Sequence, residues 1–114
     1  MAQYSFDKTE RLAKRHQFEK VMADGLRKRV GTYCTVFTIP NGLDRKRLGI
    51  IASKKIGNAV ARNRAKRKIR DVFRRIKDNI SPAMDIVIIS GKDLVPLPVY
   101  ILEEKLSRPL LTQR

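Results

Sequence analysis

The sequence predicts a single α+β domain, residues 1–114, in which a small mixed sheet is flanked by helices. A helical period runs from Asn58 to Ile80, and runs rich in β-branched residues occupy 33–39, 47–53 and 84–90. A chain of 114 residues with 42% hydrophobic side chains can bury one modest core but not two. The expected order of elements is α-β-β-α-β-α.

The amino-terminal part is expected to contain a flexible tail, residues 1–8, and one helix. Asp7 or Thr9 is predicted to cap this helix, which should continue to about Ala23 and stop at Gly25. Its apolar members are Leu12, Phe18, Val21 and Met22.

Two strands are expected next, joined as a hairpin. The first spans Tyr33–Ile39 and alternates with apolar residues on both sides. Pro40-Asn41-Gly42 is a turn signal, so the second strand, Arg47–Ser53, is predicted to pair with the first in antiparallel fashion.

The stretch from Lys54 to Lys77 is predicted to be the entrance and body of a basic amphipathic helix, capped by Asn58. The apolar stripe consists of Ala61, Ala65, Ile69, Val72, Phe73, Ile76 and Ile80. The remaining arc carries Arg64, Arg67, Lys68, Arg70, Arg74 and Arg75. Arg62 falls at the edge of the stripe, where burial without a partner would be unfavourable. We therefore expect the first turn to overhang the core and to project Arg62 and Asn63 toward a ligand.

The chain is expected to close with a strand and a helix. Met84–Ser90 is apolar without alternation, which predicts a strand that is buried on both faces. After a loop, a final helix is expected over about Val99–Ser107, stopped by Pro109.

The net charge of +15 is concentrated in one third of the chain, since residues 45–77 alone hold a net +13. Solvated helices usually interleave acids with bases, whereas Lys54–Lys77 has eleven basic residues and only Asp71. A nucleic-acid-binding face therefore explains the helix better than a merely solvated surface. Aromatic residues on the strands are more often core than stacking platforms, and the sequence leaves that choice open.

The cellular compartment and the chemical role of the protein are inferred from the sequence signals that it lacks. The chain has one cysteine, Cys34, no apolar run typical of a signal peptide and no membrane-length segment, so we expect a cytoplasmic protein without membrane contact. His16 is expected to be exposed, and the adjacent Glu103 and Glu104 point in different directions. No catalytic residues and no protein-bound metal are expected.

The segment Arg47–Arg74 resembles the signature of the bacterial ribonuclease P protein subunit. The matching residues are Ser53-Lys54-Lys55, Gly57-Asn58-Ala59-Val60, Arg62-Asn63-Arg64, Lys66-Arg67 and Arg70, with Arg11-Leu12, Phe18, Val21 and Gly25 upstream. The resemblance implies a fold similar to the second domain of ribosomal protein S5, with a left-handed βαβ crossover. It also implies that a catalytic RNA subunit, expected at 1:1, performs the hydrolysis with Mg²⁺ and removes the 5′ leader of precursor tRNA.

By the same resemblance, two groups of residues would contact RNA. Contacts with the RNA subunit would come from Lys54, Lys55, Arg62, Asn63, Arg64, Lys66, Arg67 and Arg70. The cleft for the precursor-tRNA leader would contain Phe18, Met22 and Phe37. No cofactor on the protein and no obligate protein partner are implied.

Three other functions remain open from the residues. A ribosomal or general RNA-binding protein would have the same charge but would not enhance precursor-tRNA cleavage. A sequence-specific DNA reader would be expected to carry more Asn, Gln and Ser on its recognition helix than the single Asn63. A protein-only nuclease would need clustered carboxylates, and the acids here are scattered.

Overall fold

The computed structural model describes residues 8–80 and 83–111, so the predictions for residues 1–7 and for the break at Ser81-Pro82 lie outside the described residues. The helices are α1 (Arg15–Asp24), α2 (Ala59–Ile76) and α3 (Val99–Leu111). The strands are β1 (Leu26–Val30), β2 (Cys34–Pro40), β3 (Arg47–Ile51) and β4 (Met84–Ser90). Short 3₁₀ turns occupy Lys8–Glu10 and Lys77–Asn79. The prediction of an α+β fold with a mixed sheet is confirmed, with one strand more than expected.

The strands form one sheet in the order β1-β2-β4-β3. The predicted hairpin between β2 and β3 is wrong, because β4 lies between them, antiparallel to β2 and parallel to β3. A strand that is apolar on both sides is best buried in the centre of a sheet, and β4 takes that position. The turn predicted at Asn41 is present, because Asn41 Oδ1 accepts the N–H of Leu43 (2.9 Å). Asn41 also binds the start of β4: its N–H donates to Ala83 O (3.2 Å) and its Nδ2 to Asp85 Oδ1 (2.9 Å).

The hairpin that does form joins β1 to β2, and β1 was not predicted. Its sequence, LRKRV, has three consecutive charged residues, so it lacks the alternation of apolar and polar residues that indicates a strand. Tyr33 N–H donates to Val30 O (3.0 Å) across the turn, and Gly31 has a positive φ of 52°. A short cationic strand is a common way to protect the edge of a sheet from further pairing, and β1 is an edge strand.

The two faces of the sheet differ in how they are covered. We call one the core face, because α2 and α3 pack on it around a large buried cluster that includes Val36, Ile86 and Phe73. We call the other the cleft face, where α1 covers only a smaller cluster that includes Phe37 and Val87. The connection from β3 through α2 to the adjacent parallel β4 is the crossover that the resemblance implies, and its left-handedness stays a prediction.

Two helix ends differ from the predictions. Helix α1 begins only at Arg15, because Leu12 N–H donates to Leu48 O (3.0 Å) and so holds the preceding chain extended along β3. Helix α3 does not stop before Pro109 but includes it. Pro109 and Leu110 are buried, so their packing outweighs the backbone hydrogen bond that the proline ring removes.

An ion pair between the half-buried Arg47 and the buried Asp85 links β3 to β4 on the cleft face. Asp85 accepts hydrogen bonds from Arg47 Nε (2.8 Å), Arg47 Nη2 (2.6 Å) and Asn41 Nδ2 (2.9 Å). Burial by itself raises the pKa of Asp85, but the hydrogen bonds from Arg47 and Asn41 outweigh it and hold the pKa below its ordinary value of 3.8. The carboxylate therefore contributes stability that is complete above the unfolded-state pKa and is lost as the pH falls through the folded-state pKa.

We expect Asp85→Asn to lower the free energy of unfolding by about 3 kcal/mol at neutral pH, because it leaves the Arg47 guanidinium without its partner. The free energy of unfolding of the variant should also depend less on pH below about pH 4, because the variant lacks this titrating carboxylate. Urea unfolding at a series of pH values measures both effects. Asp44→Asn is the matched control, since the Asp44 side chain is 93% exposed. An equal change in the free energy of unfolding of the two variants would contradict a stabilising role for the ion pair between Asp85 and Arg47.

None of the helices in the part of the chain that the structure describes combines the length and the apolar character needed to cross a membrane.

Candidate nucleic-acid interface

The amino-terminal half of α2 forms a basic surface. Asn58 Oδ1 accepts the N–H of Ala61 (3.0 Å), which confirms the predicted cap and fixes the start of the helix. Side chains of Asn63, Arg64 and Arg67 are exposed, and those of Arg62, Lys66 and Arg70 are half-buried. Lys54 and Lys55 are exposed in the turn immediately before the helix. All eight predicted RNA-subunit contacts therefore lie on the first part of α2 or directly in front of it.

The overhang that was inferred from Arg62 is present. Val60 in the first turn is 58% exposed, Ala61 is half-buried, and Ala65 is the first fully buried residue of the apolar stripe. Arg62 is accordingly half-buried rather than enclosed, so its guanidinium does not have to enter the core.

Three of the other four cations of this helix and the turn after it, Lys68, Arg75 and Lys77, have partners inside the protein, and the fourth, Arg74, is half-buried. Lys68 was predicted to lie on the exposed arc, but its Nζ donates to the carbonyl oxygens of Val95 and Leu97 and so fastens the loop before α3. Lys77 is buried with Glu10, with Nζ–Oε2 at 2.8 Å. Among the described residues, no acid lies within ion-pair distance of the eight predicted contacts. The unneutralised charge is therefore concentrated near the start of α2.

Arg75 is also paired, through its guanidinium, with Asp71 (3.6 Å) and Glu103 (3.7 Å). It thus links the last turns of α2 to α3. Asp71, the single acid of the basic stretch, is used within the protein and leaves the charge of the first turns unopposed.

A small cavity of about 100 Å³ joins the basic surface to the start of α1. Its lining consists of Arg11, Leu12, Phe18, Leu48, Ile50, Lys66 and Arg70. Burial, followed by the nearby charges of Arg11 and Arg74, lowers the pKa of Arg70. A phosphate in this position would relieve that repulsion, because it would bring a negative charge close to the guanidinium groups.

The three predicted cleft residues come together on the cleft face. Phe18, Met22 and Phe37 belong to one apolar cluster with Val21 and Val87. Phe18 and Met22 are half-buried, but Phe37 is only 7% exposed and lies beneath them. Phe37 therefore forms the floor of the cleft and contributes mainly through packing, whereas Phe18 and Met22 keep accessible surface.

Gly49 of β3 lets the Phe18 ring approach the sheet. A Cβ atom on Gly49 would lie 2.5 Å from Cε2 and 2.6 Å from Cζ of Phe18. Since real Cβ atoms do not come so close to a neighbour, any side chain here would displace the ring. The contact fixes Phe18 at the junction of the cleft and the basic surface.

Part of the cleft face is left open by α1, and the sequence did not single out the residues there. Thr35, Ile89 and Ile51 are partners across β2, β4 and β3, and all three are half-buried. Their strands were predicted, but only the sheet order shows that they form one row.

Cys34 and His16 are the single cysteine and the single histidine of the chain. Burial raises the pKa of the Cys34 thiol from 9.0 to about 12, so it stays protonated at neutral pH. His16 is exposed on α1, as predicted. Within residues 8–80 and 83–111, His, Cys, Asp and Glu nowhere gather in a group of three that could hold a metal ion.

The chain is similar in sequence and in fold to proteins of one known family. The model of a family described as Ribonuclease P matches residues 6–113. A ribonuclease P protein component from Desulforapulum autotrophicum is 45% identical over 97 residues, which cover 85% of this chain and 82% of that protein. The solved RNase P protein from Thermotoga maritima superimposes with a TM-score of 0.81 and 35% identity, covering 92% of this chain and 98% of that one. The Staphylococcus aureus RNase P protein gives a TM-score of 0.78 at 33% identity, covering 89% and 92%.

Proposed function

Because this chain belongs to the ribonuclease P protein family, we propose that it is the protein subunit of ribonuclease P, which processes tRNA. It binds the catalytic RNA subunit, at one protein per RNA, and the 5′ leader of precursor tRNA. The holoenzyme is the endonuclease that hydrolyses the phosphodiester bond between the 5′ leader and the mature tRNA. The RNA carries the catalysis with Mg²⁺, and the protein contributes binding.

One observation supports this proposal above the others: the basic surface of α2 and the apolar cleft meet at Phe18. The ring contacts β3 at Gly49 and lines the same cavity as Lys66 and Arg70. An RNA strand can therefore have its phosphates beside the cations and its bases against the apolar cleft at the same time. Single-stranded nucleic acid is commonly bound by this combination, which tolerates differences in sequence.

The contacts divide into two sets. The RNA subunit takes the basic surface, made of Lys54, Lys55, Arg62, Asn63, Arg64, Lys66, Arg67 and Arg70. The leader takes the cleft, with Phe18 and Met22 as accessible apolar contacts above Phe37. Because mature tRNA has no leader, the cleft favours precursor over product. The cations also reduce phosphate repulsion in the assembly, which lowers its demand for Mg²⁺.

Reconstitution with a ribonuclease P RNA at low Mg²⁺ tests the proposal. We expect the protein to enhance removal of the 5′ leader from precursor tRNA and to bind precursor more tightly than mature tRNA. The protein alone with Mg²⁺ should cleave neither RNA. A general RNA-binding protein would bind without enhancing 5′ processing, and cleavage by the protein alone would show a protein nuclease instead.

A further inference from the structure

The cleft face is organised in rows that cross all four strands. In the first row, Arg27 of β1 lies opposite Phe37, which lies opposite Val87 and then Gly49. Directly opposed residues share a face of the sheet, so the Arg27 side chain is on the same face as the floor of the cleft. The aromatic cluster therefore has a cation at its β1 edge.

The second row has the same arrangement and is less covered. Arg29 lies opposite Thr35, followed by Ile89 and Ile51. Thr35, Ile89 and Ile51 are half-buried, and Arg29 is exposed. This row forms an apolar strip, open at the surface, that again ends in a guanidinium on β1.

Both arginines are available to an anion. Arg27 and Arg29 are exposed, and within the described ranges 8–80 and 83–111 no acidic side chain forms an ion pair with either. Arg29 Nε donates to Gly31 O (3.2 Å), which holds the guanidinium beside the β1–β2 turn. An arginine held in this way keeps its other N–H groups for a ligand.

The position of β1 separates these cations from the basic surface of α2. β1 and β3 are the two edges of the sheet, three strand spacings or about 14 Å apart. Lys54 and Lys55 follow β3 at one edge, and Arg27 and Arg29 stand on the other. An extended strand that crossed the cleft face would thus have cations at both ends and apolar side chains between them.

We propose that Arg27 and Arg29 form a second phosphate-binding site, which holds the part of the leader that extends beyond the Phe18 cleft. The inference rests on the proposed function, since it takes the occupant of the cleft to be a single-stranded leader. The site makes affinity depend on leader length: a leader that ends within the cleft does not reach β1, whereas a longer one gains up to two phosphate contacts there.

The test compares two precursor tRNAs, one with a leader that ends in the cleft and one with a leader long enough to cross the sheet. Arg27→Gln with Arg29→Gln should weaken binding of the long-leader precursor to the reconstituted holoenzyme about tenfold and leave the short-leader precursor unchanged. The slope of log affinity against log salt for the long leader should decrease by about 1.4, since each single-strand phosphate contact accounts for about 0.7.

Lys28→Gln is the matched control, because Lys28 is on the same strand but on the opposite face, paired with Val36. It should change neither affinity. Arg27→Lys with Arg29→Lys keeps both charges and should retain most of the length dependence. Equal losses for both leaders, or an effect of Lys28→Gln as large as that of the double variant, would overturn the proposal. Failure of the proposed function is distinct, since the unmodified protein would then show no preference for precursor over mature tRNA.

Discussion

Reversing the charges of Arg64 and Arg67 should weaken binding of the RNA subunit by about 100-fold at physiological salt. Both side chains are exposed on the first half of α2 and point away from its apolar stripe. Each reversal removes a phosphate contact and adds repulsion, an effect on the order of tenfold per residue. Titration of ribonuclease P RNA with Arg64→Glu, Arg67→Glu and the double variant measures the loss.

The matched control is Lys92→Glu, which reverses an exposed charge outside α2, in the loop between β4 and α3. We expect it to change RNA affinity by less than about threefold. The thermal midpoints of all variants should stay close to that of the unmodified protein, because neither arginine packs in the core. If the affinity were unchanged and only the midpoint fell, α2 would be a structural helix and the assignment of its basic surface would be wrong.

Phe18→Ala should reduce affinity for precursor tRNA about tenfold and leave affinity for mature tRNA unchanged. Stacking of a base on an aromatic ring contributes about 1–3 kcal/mol, and only the precursor has a leader that reaches the cleft. Phe37→Ala, which the sequence also suggests, is a less direct test. Phe37 is only 7% exposed, so its truncation would cost about 3 kcal/mol or more in stability.

Two further variants separate stacking from packing in this measurement. Phe18→Leu keeps an apolar side chain over Gly49 but has no ring, so it should preserve the fold and still lose most of the preference for precursor. Tyr100→Ala removes an aromatic that is 71% exposed on α3 and should have no effect. If Phe18→Ala lost affinity for precursor and mature tRNA equally, Phe18 would not be a contact of the leader.

Elements whose pattern is set by local periodicity were predicted well from the sequence. The apolar stripe of α2, its Asn58 cap and the doubly buried strand β4 are found where they were expected. The clustering of charge on α2 is likewise visible without coordinates. In each case the sequence signal comes from residues a few positions apart, which is the range over which helical and strand periods act.

The partners of individual cations could not be predicted in the same way. Lys68 and Lys77 belong to the same basic run as Arg67, yet Lys68 holds the loop before α3 and Lys77 pairs with Glu10. Val95 and Glu10 are 27 and 67 positions away from their respective lysines. A helical period shows which arc a side chain occupies, but it does not show what packs beside that arc.

Local periodicity and charge identify α2 as a basic amphipathic helix, and they predict that it binds polyanion and that the protein supplies no catalytic group. The order of the strands follows only from the tertiary structure. β4 rather than β3 pairs with β2, because the central position in the sheet buries both faces of β4. That order sets Phe18 against Gly49 and places Arg27 and Arg29 at the far end of the cleft. Pairing between distant strands depends on total burial, which no local pattern of residues records.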